Sequence, residues 1–143
     1  MDELAARRAA ETLLAAHKAN VQFKSLDPPD RPATVSDAYD IQQRFVALLR
    51  GTHGDAVGYK VGLTSAAMQN FCGIDHPIAG VVLARRVLRS GASVRRADYG
   101  RLGLEFEVAV RLKSDVPATG TPLTAGTIAP HIECNVFAIR GVG

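Results

Sequence analysis

Leu104-Glu105-Phe106-Glu107-Val108-Ala109-Val110-Arg111-Leu112 is the stretch on which the fold turns. Leu104, Phe106, Val108, Val110 and Leu112 recur at every second position, with Glu105, Glu107, Ala109 and Arg111 between them. A period of two is the signature of a strand whose two faces differ in character. Downstream, Ser114 to Thr127 carries Pro117, Gly120, Pro122 and Gly126 and reads as a loop with one helical turn, and a last apolar strand is expected from Ile132 to Ile139. Upstream, Ala84 to Gly100 holds Arg85, Arg86, Arg89, Arg95 and Arg96 and reads as surface turns with a short edge strand.

Further upstream the periodicity changes. Ile78 to Leu83 reads as a buried strand, preceded by the loop Ile74-Asp75-His76-Pro77 and by a short helix capped at Thr64 or Ser65 and stopped at Gly73. Val57, Tyr59, Val61 and Leu63 alternate with Gly58, Lys60 and Gly62, a strand whose second face is bare except for one lysine. Ala38, Ile41, Phe45, Leu48 and Leu49 recur at helical spacing after a cap at Thr34 or Ser36, with a stop at Arg50-Gly51. The prolines of Pro28-Pro29-Asp30-Arg31-Pro32 mark a loop expected to be mobile, and Asp2 to Ala19 is rich in helix formers, with Leu4, Leu13, Leu14 and His17 on one face. The expectation is an α+β fold: a helical region over 1–52, then a mixed, mainly antiparallel sheet over 53–143.

Composition narrows the classes. The chain has 143 residues, 47% hydrophobic and 22% charged, and its 17 basic and 14 acidic side chains give a net charge of +3. A domain of this size buries roughly 68–70% of its unfolded surface, so stability by itself demands no metal or disulfide. The longest apolar run, Ile78 to Ala84, is far short of the ~20 residues that cross a bilayer, and Met1-Asp2-Glu3 does not open a secretory signal. A cytoplasmic location is the default expectation. Cys72 and Cys134 lie outside any metal-binding or redox spacing and are expected as small core residues. The arginines between 85 and 96 lack interleaved aromatics, so a solvated surface is expected rather than a nucleic-acid interface.

Few residues remain that carry chemistry. Glu105 and Glu107 project from one face about 7 Å apart along the backbone, close enough to converge on one cation. On the strand alone, two solvent-facing carboxylates are the commoner arrangement. Glu133 sits in an apolar stretch and needs a partner, either a cation shared with the other two or an arginine. Three carboxylates without a histidine pair suit Mg²⁺ or Mn²⁺ better than zinc. Lys60, on its glycine-flanked face, could steady an anion or exchange a proton, or be an exposed strand lysine. Asp75 could orient water or act as acid or base, or serve the turn in which it lies.

Four segments in order, Val35-Ser36-Asp37-Ala38-Tyr39-Asp40-Ile41-Gln42-Gln43, Gly58-Tyr59-Lys60-Val61-Gly62-Leu63-Thr64-Ser65, Gly73-Ile74-Asp75-His76-Pro77-Ile78-Ala79-Gly80 and Glu105-Phe106-Glu107, resemble the 2-keto-4-pentenoate hydratase group. That group lies in the fumarylacetoacetate hydrolase superfamily and also contains 4-oxalocrotonate decarboxylases. The resemblance implies Mg²⁺ or Mn²⁺ on Glu105, Glu107 and Glu133, chelated by a small 2-oxo or 2-hydroxydienoic acid substrate, with Lys60 and Asp75 as catalytic residues. It implies water addition to a 2-hydroxy-2,4-dienoate in aromatic meta-cleavage catabolism, or decarboxylation on the same site, with Asp75 pointing to the hydratase.

The resemblance covers the N-terminal half of such proteins. After Glu133 the family continues with Ile/Val-Asp-Ser-Arg, whereas this chain reads Cys134-Asn135-Val136-Phe137-Ala138-Ile139-Arg140. An incomplete β-roll of the superfamily is therefore expected, with weak or absent turnover. Open sheet edges and uncovered apolar faces imply a homo-oligomer, the alternative being a catalytically silent fragment that survives by oligomerising.

Overall fold

A computed structural model describes residues 1–100, 102–117 and 120–142, with side chains as far as residue 139. Among them the chain forms two compact units, Met1–Asp98 and Tyr99–Gly143; Gly143 itself lies outside the described residues. The first unit runs α1 (Glu3–Lys18), α2 (Val35–His53), β1 (Ala56–Gly62), α3 (Ala66–Cys72), β2 (Ile78–Leu83). The second runs β3 (Gly103–Leu112), α4 (Ala125–Ile128), β4 (Ile132–Val142).

The helix α1 starts where Asp2 accepts a hydrogen bond from the Ala5 amide at 2.7 Å. Its buried face is Ala5, Ala6, Ala9 and Ala10, while Leu4 is 63% exposed, a correction to the leucine face expected from the sequence. Small side chains let two backbones approach, and the alanines form the first unit's core with Ile41, backed by Leu13, Leu26 and Phe45. Leu26 brings the proline loop onto this core, and Asp30 of that loop accepts from Arg8.

Thr34 and Asp37 form a reciprocal capping box at the start of α2, the Asp37 amide donating to the Thr34 hydroxyl and the Thr34 amide to the Asp37 carboxylate. The helix runs through Gly51 and ends at Gly54, whose φ of +80° breaks it. Gly54 also packs against Ala84, 3.3 Å from where a Cβ would stand, so a side chain there would be both strained and crowded.

The strands pair as two separate two-stranded antiparallel sheets, β1 with β2 and β3 with β4, and not as one mixed sheet. Between β2 and β3 the described residues hold two 3₁₀ turns, Ala84–Arg86 and Arg96–Asp98, in place of the edge strand expected there. The division expected at residue 52 falls inside the first unit, because α2 is hydrogen-bonded to β2. Cys72 is exposed and Cys134 half-buried, so neither is the core residue expected. No helix among the described residues is long and apolar enough to cross a membrane.

Two outcomes follow from the helical pair. Ala9→Leu overfills the α1–α2 seam and lowers stability by about 1–3 kcal/mol in urea titration, whereas Leu4→Ala stays within about 0.5 kcal/mol. The Met1 α-amino group, then the Thr34 hydroxyl and amide, hold the Asp37 carboxyl at about 2. A folded value below the unfolded one gives stabilisation complete above about pH 4 and lost as pH falls through about 2. Thermal midpoints of Asp37→Asn between pH 5 and 2 will accordingly fall less steeply than those of the parent chain.

Candidate active site

Lys60 stands in the middle of β1, opposite Gly80 in register, with Gly58 and Gly62 on either side of it on the same face. A Cβ built at Gly58 or Gly80 would meet nothing within 4 Å, whereas one at Gly62 would touch the Ile78 side chain at 3.5 Å, so the space beside the half-buried Lys60 is open towards Gly58 and Gly80. The opposite face of β1 carries Val57, Tyr59 and Val61, all exposed.

What fastens this hairpin is a pair of residues that the sequence reading passed over. On α2, Tyr39 Oη accepts from the Ala79 amide at 2.9 Å, and Gln42 Nε2 donates to the Ala79 carbonyl at 2.9 Å. Three residues apart, the two side chains share one helix face and satisfy both backbone groups on the outer edge of β2. No local signal set them apart, since Asp37, Asp40, Gln43 and Arg44 are polar neighbours on the same helix. Beyond β1, Leu63 adopts φ +54°, and its carbonyl accepts from Gln69 Nε2 at 2.8 Å. A leucine in left-handed geometry costs on the order of 1–2 kcal/mol and marks the turn from the Lys60 strand into α3 as a constrained one. Ser65 then caps α3, and Gly73, at φ +68°, ends it.

The loop after Gly73 presents Asp75, whose side chain is 99% exposed. His76 Nδ1 lies 2.8 Å from Asp75 Oδ1. That hydrogen bond, more than any charge effect, holds the Asp75 carboxyl below its ordinary range. Asp75 is therefore held in its carboxylate form, and the same hydrogen bond makes it a weaker base than an ordinary aspartate.

In the second unit, Glu105 and Glu107 share one face of β3, Glu105 exposed and Glu107 half-buried. The register places Arg140 opposite Glu105 and Ala138 opposite Glu107. Glu133 is brought elsewhere along the hairpin. Arg111 pairs with Cys134 and Leu112 with Ile132, so Glu133 occupies a β-bulge. There its carboxylate lies 3.9 Å from Arg111 Nε. Since Arg111 alternates in step with Glu105 and Glu107, all three glutamates belong to one face, but Glu133 sits four residues beyond Glu107, about 13 Å along the strand. No three His, Cys, Asp or Glu among the described residues gather closely enough to hold a metal ion. Glu133 thus has the arginine partner that the sequence left as its alternative.

No family model matches the chain. Its fold is that of 4-oxalocrotonate decarboxylase from Pseudomonas putida G7, solved as a complex with magnesium and adipate: the TM-score is 0.87 over 99% of this chain and 53% of that one, at 22% identity. In sequence it is 33% identical over 106 residues, 73% of its length, to a 2-keto-4-pentenoate hydratase of Burkholderia vietnamiensis, of which it covers 38%. It is 30% identical over 141 residues, 97% of its length, to the TodF product hydratase of Pseudomonas putida F1, of which it covers 51%. The chain is thus similar in sequence to 2-keto-4-pentenoate-type hydratases and shares its fold with a 4-oxalocrotonate decarboxylase, and it spans about half the length of the curated relatives it matches.

The Asp75–His76 contact has a direct readout. In His76→Ala the Asp75 carboxyl titrates closer to the ordinary aspartate value in carbon-detected NMR, whereas a pKa unchanged by the substitution would assign the depression to the loop backbone.

Proposed function

We propose that the chain carries the site residues of a divalent-metal-dependent hydratase, a lyase that adds water to a 2-hydroxy-2,4-dienoate or its 2-keto-4-pentenoate tautomer in the cytoplasm. The observation that carries this reading is the shared face of Glu105 and Glu107 on β3, in a chain whose sequence relatives are hydratases. Likeness to the decarboxylase at 22% identity supports the fold and not the reaction.

Glu105 and Glu107 fit a hard divalent cation as a two-carboxylate, all-oxygen donor pair, suited to Mg²⁺ or Mn²⁺. Glu133 does not reach that pair in the present register, and its place as third ligand rests on the resemblance alone. The cation, when bound, would offset the negative charge that develops on a chelated 2-oxo acid. Lys60, flanked by Gly58 and Gly62, holds a substrate anion or passes a proton during tautomerisation. Asp75, a carboxylate, orients the water that adds across the double bond of the unsaturated ketone, hydroxyl to C4 and proton to C3, and the product is a 4-hydroxy-2-oxo acid. The same reading includes a homo-oligomer of the chain, with turnover below that of a full-length relative.

Isothermal titration with Mn²⁺, alongside Mg²⁺-dependent loss of 2-hydroxypenta-2,4-dienoate absorbance, tests the reading. Glu107→Ala is expected to weaken metal binding at least roughly 10–100-fold and to abolish whatever turnover the chain has. Metal binding that survives both Glu105→Ala and Glu107→Ala would exclude the site. An equal loss in Glu133→Ala would restore the third ligand, and no loss would leave two.

A further inference from the structure

His17, in the last turn of α1, and His53, the last residue of α2, meet edge to face, their ring centroids 5.3 Å apart at 61°. His17 also packs edge-on against Phe45 at 6.0 Å, and Phe45 against Phe23 at 6.1 Å, so four rings join the ends of both helices to the segment that follows α1. The Thr52 hydroxyl donates to the Leu49 carbonyl at 3.1 Å, so its oxygen accepts from His53 Nδ1 at 2.7 Å, and that tautomer leaves Nε2 as the nitrogen that takes up a proton. The charges around the pair are cationic. Arg86, in the turn Ala84–Arg86, acts on His17, Arg85 donates to the Thr52 carbonyl, and Lys18 and Arg50 lie in the last turns of the same two helices. Neither ring pairs with a carboxylate among the described residues, and Asp55, two positions beyond His53, is exposed.

We propose that His17 and His53 form an acid-sensitive latch: with at least one ring neutral they close the end of the α1–α2 pair, and protonation of both parts them and loosens the corner from which the Lys60 strand starts. The device stands apart from the proposed chemistry. Each helix end favours a cation through its exposed carbonyls, but two imidazolium rings in contact repel, so the pair tolerates a first proton and resists a second. Burial first, then the charges of His53 and Arg86, hold the His17 imidazole below its ordinary value. A folded value below the unfolded one, which is about 6.5, gives stabilisation that is complete above about pH 7 and lost as pH falls through the folded value. The effect reaches the hairpin because Gly54 and Asp55 follow His53 directly. Gly54 packs on Ala84, and the Asp55 carbonyl accepts from the Ala84 amide at 2.9 Å.

Side-chain NMR titration of the histidines from about pH 8 to 4, with hydrogen-exchange protection of the Ala84 amide over the same range, tests the latch. His17→Phe is the variant, since it keeps a ring against Phe45 and removes the charge. In the variant His53 is expected to titrate at least about half a unit higher than in the parent chain. Protection at Ala84 is expected to fall at least roughly fivefold between about pH 7 and 5 in the parent chain and to stay within about twofold in the variant. Should His17→Phe fail to fold, His17→Gln takes its place with the same expectations. A His53 titration identical in parent and variant would show two independent rings and overturn the latch, as would Ala84 protection that stays constant while both rings protonate. A loss of protection that His76→Ala abolishes and His17→Phe does not would overturn it too, by assigning the acid sensitivity to the Asp75 loop.

Discussion

The N–H and C=O of Ala79 point out from the free edge of β2, and Tyr39 and Gln42 of α2 take both. An isolated two-stranded ribbon is marginal in water, and each backbone group withdrawn from water without a partner costs about 1–3 kcal/mol. The helix therefore stands where a third strand otherwise would. A second fastening lies at the far end of the ribbon, where the Ala84 amide donates to the Asp55 carbonyl at 2.9 Å, Arg85 donates to the Thr52 carbonyl at 2.9 Å, and Leu83 is buried. Lys60 owes its position to these contacts. The α1–α2 pair can serve as a platform because an alanine seam lets the helices close on Ile41.

The two hairpins share an inversion. An antiparallel ribbon ordinarily covers its apolar side and wets its polar one. In β1 the positions of Gly58, Lys60 and Gly62 are half-buried while Val57, Tyr59 and Val61 are exposed. In β3 Glu107 and Ala109 are half-buried while Leu104, Phe106, Val108 and Val110 are exposed. The side that bears Lys60 in β1, and Glu107 and Ala109 in β3, is thus the more sheltered one, although Glu105 and Arg111 on it are exposed.

Much of the local structure was legible because its signals are local. The Thr34 capping box, the Ser65 cap with Gly73 three residues after Asn70, the strand Ile78–Leu83 and the period of two through Leu112 each depend on neighbours within a few residues. Where the reading missed, a distant partner decided. Leu4 was grouped by helical spacing with Leu13, Leu14 and His17, yet the seam belongs to alanines that meet another helix. Gly51 read as a stop, but the helix continues until Gly54, which must approach Ala84. Tyr39 and Gln42 carried no assigned role in the sequence because their partner, Ala79, lies 40 and 37 positions away. The four segments behind the family resemblance were visible as words in order, whereas their spatial relation was not.

The sequence alone determined which residues can do chemistry and on which side of a strand each lies, since alternation is a property of the backbone and needs no partner. It placed Glu105 and Glu107 together, left Lys60 on a bare face, and showed that Glu133 could not stand alone in an apolar stretch. Tertiary structure decided the rest: that the strands form two ribbons and not one sheet, that a helix closes the edge beside Lys60, and that a bulge turns Glu133 to Arg111, four residues along the strand from Glu107 and six from Glu105. Register is the physical reason. It is set by pairing across strands nineteen residues apart, from Leu112 to Ile132, and no local pattern within either strand carries it.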